Sequence, residues 1–159
     1  MTSALSAPRF EDHGPLLIAG ISERYSEAAR AGIPAQWQRF APYIGHVSGQ
    51  TGSYAYGVCY NTDDEANMDY LCGVQVQGFA SIPPDFARLR IAPQHYAVFH
   101  HAEHISAIGE TFRAIFGQWL PASDYEIVDA PLFERYTSSF DGRTGMGGLE
   151  VWVPVRPKS

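Results

Sequence analysis

Long apolar runs are missing from this 159-residue chain. None approaches the roughly 20 residues a membrane-spanning helix requires, so no membrane association is expected. The opening residues, Met1-Thr2-Ser3-Ala4-Leu5-Ser6, lack the basic and apolar regions of a secretion signal, and a cytoplasmic location is expected. Basic residues are also scarce. Eleven Lys and Arg face seventeen Asp and Glu, for a formal net charge of −6 and a pI near 5.4. Phosphate backbones are held by basic faces, so direct nucleic-acid binding is not expected and a cationic partner suits the chain better. Only two cysteines occur, Cys59 and Cys72. In a reducing compartment they read as buried free thiols. No Gly-x-Ser-x-Gly elbow is present, and the glycine-rich stretch 142–148 lacks the lysine of a phosphate loop. His95, His100, His101 and His104 cluster, but adjacent histidines on a strand point to opposite faces and no Cys or carboxylate stands at a familiar ligand spacing. A polar strand-to-helix junction accounts for them. No metal and no cofactor are expected.

What the chain has is aromatic side chains, 13% of residues, within a hydrophobic total of 45%. That suffices for one medium-sized domain. Residues 1–12 read as a loose tail and 13–159 as a single domain. Leu16 to Ile21 is a short apolar run that reads as a strand. Pro34 suits the first turn of a helix whose stripe is Trp37, Phe40, Ala41 and Ile44 and which Gly45 or Gly49 ends. From Gly52 to Tyr60, bulky Tyr54, Tyr56, Val58 and Tyr60 alternate with small Ala55, Gly57 and Cys59, which predicts a strand. A polar turn leads to a second strand, Tyr70 to Gln77. After a Pro83-Pro84 link and a bridging strand near Phe86 to Ile91, the order returns. It runs through a strand from Tyr96 to His100, a helix striped by Ile105, Ile108, Phe112, Ile115, Phe116 and Trp119 and ended by Pro121, then strands over Phe133–Thr137 and Leu149–Val155.

The expected fold is therefore α+β: duplicated β-α-β-β units, about 13–80 and 86–157, forming a curved, mostly antiparallel sheet with two helices on one face and a cleft between the halves.

The two closing strands each carry a glutamate two residues before a large aromatic, Glu134 with Tyr136 and Glu150 with Trp152. Residues two apart share a face, and a carboxylate beside rings is what holds an organic cation. Each glutamate has a plainer reading, a solvated residue on a strand. Tyr54, Tyr56 and Tyr60 read equally as ligand-lining or as core, and Trp37 as core or cleft wall.

The ordered stretches His95-Tyr96-Ala97-Val98-Phe99, Ile108 through Trp119-Leu120-Pro121, Phe133-Glu134-Arg135-Tyr136 and Glu150-Val151-Trp152-Val153-Pro154-Val155 resemble the GyrI-like effector-binding domain. That family includes the ligand-binding domains of AraC-type and MerR-type multidrug regulators and stand-alone single-domain proteins. The resemblance implies a pseudo-twofold fold whose cleft binds amphipathic, cationic aromatic compounds, so as to sense or sequester them, with a glutamate of the last strands as the anion. Carried onto this chain, that role falls to Glu150 with Trp152, with Glu134 and Tyr136 as the second pair and Tyr54, Tyr56 and Trp37 as further lining. Many members have Tyr where this chain has Trp152. The family also implies two alternatives. One is hydrolysis of electrophilic cyclopropane-type compounds with Glu150 as the catalytic residue, and the other is a protein-interaction role such as gyrase modulation. The sequence shows no helix-turn-helix pattern and no room for one ahead of the domain, so a stand-alone member is expected.

Overall fold

A computed structural model describes residues 5–159. Its strands are β1 (Arg9–His13), β2 (Leu16–Tyr25), β3 (Gln50–Tyr60), β4 (Met68–Val76), β5 (Ala87–Ile91), β6 (Gln94–His101), β7 (Tyr125–Ile127), β8 (Leu132–Tyr136) and β9 (Leu149–Pro157). Its two main helices are α1 (Ile33–Phe40) and α2 (Ile108–Ala114). The strand order is β1-β6-β9-β8-β3-β4-β2-β5, every pairing is antiparallel, and β7 adds to β9. Units β2-α1-β3-β4 and β6-α2-β8-β9 have the same internal order, and β5 and β1 flank them at the two edges. The halves meet at the β3–β8 seam.

Alternation along each strand produces two differently covered faces. On one face α1 packs Trp37 and Phe40 against Tyr70, Cys72 and Val74, and α2 with the turn after it packs Phe112 and Ile115 against Phe99, Val151 and Val153. Among the described residues no helix covers the opposite face. The sheet curls around its own side chains there, burying Tyr56, Val58, Tyr96, Phe133 and Trp152. Phe133 stacks on Trp152 at 5.4 Å, and Tyr96 meets both rings edge-on. Each such pair contributes about 1 kcal/mol beyond burial.

Three expectations are corrected. Residues 9–12, read as part of a loose tail, form most of β1, which pairs with β6 in continuous register from Arg9↔Val98 to His13↔Gln94. Its polar sequence, Arg-Phe-Glu-Asp-His, shows no core-facing pattern because it is an edge strand. The tail's first four residues lie outside the described residues. The first helix is shorter than its stripe implied. It ends at Phe40 and gives way to a 3₁₀ turn, Ala41–Tyr43, because Pro42 supplies no N–H to continue an α ladder. Pro121, expected to end the second helix, lies inside it. Ile115–Trp119 widens to a π turn, the Leu120 N–H reaches back to the Ile115 carbonyl, and a last turn runs to Ala122. Widening just ahead of proline accommodates its missing donor.

Candidate ligand-binding site

The seam presents three residue pairs toward the helices: Ala55↔Tyr136, Gly57↔Glu134 and Cys59↔Leu132. Glu134 is 7% exposed. Its Oε1 accepts a hydrogen bond from the Tyr70 hydroxyl at 2.7 Å and another from the Tyr136 hydroxyl at 3.3 Å. The Trp37 indole N–H donates to Tyr70 Oη at 3.0 Å, and the Trp37 ring meets Tyr136 edge-on at 5.0 Å. An indole, two phenols and a carboxylate thus form one linked group under α1. Gly57 makes the space for it, because a Cβ at that position would sit 2.6 Å from Glu134 Oε1. Burial pushes the Glu134 carboxyl above its ordinary value of 4.5, and the two phenol hydrogen bonds only partly oppose it. Burial, and then the Glu134 charge, drive the Tyr70 and Tyr136 phenols well above 10. Both therefore stay protonated as donors. No Lys or Arg pairs with Glu134 among the described residues.

Helix α1 is held over this group by Gln36, which is fully buried. Its Nε2 donates to the carbonyls of Ile21 and Tyr70, at 2.8 and 2.9 Å, and its Oε1 accepts from the Tyr25 hydroxyl at 2.7 Å.

The second acid-aromatic pair lies on the other face. In the β8–β9 ladder Phe133 faces Trp152 and Arg135 faces Glu150. Glu150 is 9% exposed, and each carboxylate oxygen has an arginine. Arg9 Nη2 donates to Oε2 at 2.7 Å, Arg135 Nε to Oε1 at 2.8 Å, and the Trp152 indole N–H to Oε1 at 3.2 Å. The Arg135 guanidinium lies over the rings of Trp152, at 4.6 Å, and Tyr54, at 4.8 Å. Burial alone would raise the Glu150 carboxyl. The Arg9 hydrogen bond, the Arg135 charge and the Trp152 N–H outweigh it, and the group sits below its ordinary value.

The seven sequence-derived candidates therefore divide. Glu134, Tyr136 and Trp37 come together on the helix side. Glu150, Trp152, Tyr54 and Tyr56 come together on the curled side, where Tyr56 is core against Phe133. Glu150 does face inward among rings, but its charge is already met by two arginines. Sequence reasoning missed Tyr70, Arg9 and Arg135 as partners. The alternation of Met68, Tyr70, Cys72, Val74 and Val76 along β4 carried the signal for Tyr70.

A cleft of about 780 Å³ opens along the seam beyond Glu134, lined by Cys59, Leu132, Phe116 and the turn 127–131. A second, of about 620 Å³, lies beside α2 and β6. Cys59 is half-buried in the first cleft and Cys72 is fully buried. Both are free thiols, and burial raises both. They stand diagonally across the β3–β4 ladder, where Gly57 faces Cys72 and Cys59 faces Tyr70. Such diagonal neighbours lie about 7–8 Å apart, beyond the usual reach of a disulfide. His101 is buried at the strand-to-helix junction, with Nδ1 2.7 Å from Thr111 Oγ1 and Nε2 2.9 Å from the His104 carbonyl oxygen. Among the described residues no helix is long and apolar enough to cross a membrane.

This architecture, two fused β-α-β-β units with an acid-aromatic seam, defines a class. A family model described as the GyrI-like small molecule binding domain matches residues 6–156, and the chain belongs to that family. The transcriptional regulator BrlR of Pseudomonas aeruginosa is 27% identical over 135 residues, a match covering 84% of this chain and 50% of the regulator. The chain thus spans half the length of that curated relative. Among solved structures, SAV2435 bound to tetraphenylphosphonium superposes with a TM-score of 0.78 at 21% identity, covering 95% of this chain and 94% of that one. The C-terminal domain of EcmrR gives 0.67 at 13% identity, covering 98% and 100%. The fold is that of the effector-binding domains of transcription regulators.

Proposed function

We propose that this small-molecule binding domain takes amphipathic, cationic aromatic compounds, sensing or sequestering them, with Glu134 as the anionic anchor. The observation that carries this is a carboxylate buried at the seam, supported by two phenol donors and an indole, with no cation beside it among the described residues. Burying an unpaired carboxylate is costly, and burial raises the Glu134 carboxyl above its ordinary value. A lipophilic cation stabilises the charged form at small desolvation cost, and faces of Trp and Tyr add about 0.5–2 kcal/mol. The likeness to SAV2435, whose structure holds tetraphenylphosphonium, supports the same ligand class.

In this reading Glu134, Tyr70, Tyr136 and Trp37 touch the ligand. Glu150, Trp152, Tyr54 and Tyr56 hold the curled face. Trp37 bonds Tyr70 and packs on Tyr136, the two residues that donate to the carboxylate, so a ligand that reaches the acid is expected to displace the Trp37–Tyr70 hydrogen bond. Binding of tetraphenylphosphonium is then read as quenching of Trp fluorescence. Glu134→Gln is expected to lower affinity at least tenfold, the loss of one close charge pair. Unchanged affinity in that variant would overturn the assignment.

A further inference from the structure

The cleft beyond the seam contains a second carboxylate that the reading above does not use. Cys59 and Leu132 lie at its seam end, Phe116 stands on the α2 side, and the turn 127–131 joining β7 to β8 forms its rim. Of all the lining residues, Asp129 alone carries a formal charge. It is exposed and has no hydrogen bond or ion pair within the described residues. Ile127, Val128, Pro131, Leu132 and the Phe116 ring give the cleft apolar walls. The π turn that begins at Ile115 contains Phe116. A cavity of about 780 Å³ with one unpaired carboxylate and largely apolar walls suits an organic cation.

The cleft ends one same-face ladder pair from the buried acid, which does not itself line it. Cys59↔Leu132 and Gly57↔Glu134 are successive same-face pairs in one ladder, about 7 Å apart along the strands. Between Asp129 and Glu134 the chain advances five residues, which at full extension spans about 18 Å at most. Both carboxylates are thus within reach of one elongated molecule.

We propose that this cleft is an outer cation subsite with Asp129 as its acid, so that preferred ligands carry positive charge at both ends of an apolar spacer. The proposal rests on the Glu134 reading for the inner end only. Two probes share a ten-carbon spacer. Decamethonium has a quaternary ammonium at each end, and decyltrimethylammonium has one. Both are titrated calorimetrically at low ionic strength, the latter below its micellar range, because exposed charges are screened by salt. Decamethonium is expected to bind the wild-type chain about fivefold more tightly, the upper range for an exposed pair. Asp129→Asn is expected to erase that advantage and leave decyltrimethylammonium unchanged, and Glu134→Gln to weaken both. Equal wild-type affinities for the two probes, or an Asp129→Asn loss shared by both, would sink the outer subsite. If Glu134→Gln changes neither while Asp129→Asn still erases the decamethonium advantage, the inner anchor fails and the outer subsite stands.

Discussion

Glu134 and Glu150 sit on adjacent strands, both almost out of contact with water, yet they face opposite sides of the sheet and hold different company. Glu150 has an arginine on each oxygen and an indole N–H besides. Glu134 has two phenols and an indole at one remove. The first arrangement stabilises a permanent negative charge and the second tolerates one poorly. Phenols donate hydrogen bonds without cancelling charge, so the Glu134 side keeps an unmet demand for a cation. Burial alone therefore does not mark a binding acid. The identity of the donors does.

The largest test of this contrast is Arg135→Ala. Arg135 is the more enclosed of the two arginines, with 16% of its side chain exposed against 47% for Arg9. Its loss leaves Glu150 with the outer arginine alone and removes the cover over Trp152 and Tyr54. Urea unfolding is expected to show a loss of about 3 kcal/mol. A smaller effect is expected at the other acid, with opposite sign. Because the folded pKa of Glu134 lies above its ordinary 4.5, the folded chain keeps a proton that the unfolded chain has released. Stability falls as pH rises from 4.5 through the raised value. Glu134→Gln removes that loss, so the variant is more stable than wild type at neutral pH and the difference shrinks toward acid. Glu150 runs the other way. Its contribution is full above 4.5 and disappears as pH falls through its depressed folded value, so Glu150→Gln loses stability at neutral pH. Urea midpoints of the two variants between about pH 4 and 8 check this. Shifts of the same sign at neutral pH would break the distinction.

Much of this was legible in the chain itself. The run Tyr54 to Tyr60 alternates bulky and small residues, and the structure places its bulky side on the curled face and Gly57 opposite Glu134. The pairing of Glu150 with Trp152 on one face was also legible. What parity within a strand does not contain is the register between strands. Nothing in Phe133–Tyr136 or Leu149–Val155 says that Phe133, not Glu134, stands opposite Trp152. Slipping that register by one residue would put both acids on one face. The partners of Glu150 were equally hidden. Arg9 is 141 residues away in sequence, in a polar segment without the apolar rhythm that announces a strand.

Arg9 supplies the smallest and sharpest test. It is the outer arginine on Glu150, it also bonds Glu11, and it anchors β1 by its side chain. Its half-exposed pairs contribute little, about 0.5 kcal/mol together. β1 itself is held mainly by its five-residue ladder with β6 and by Phe10 stacked on Tyr125 at 4.7 Å. Arg9→Ala is therefore expected to shift the urea midpoint only slightly and to leave β1 amides protected in hydrogen exchange, because Arg135 still meets the Glu150 charge. A loss as large as that of Arg135→Ala would mean that the two arginines act as one unit and that β1 is held by charge more than by its ladder. The edge strand would then belong to the electrostatic design of the curled face. The small loss expected here makes it a cover laid over a pair already satisfied.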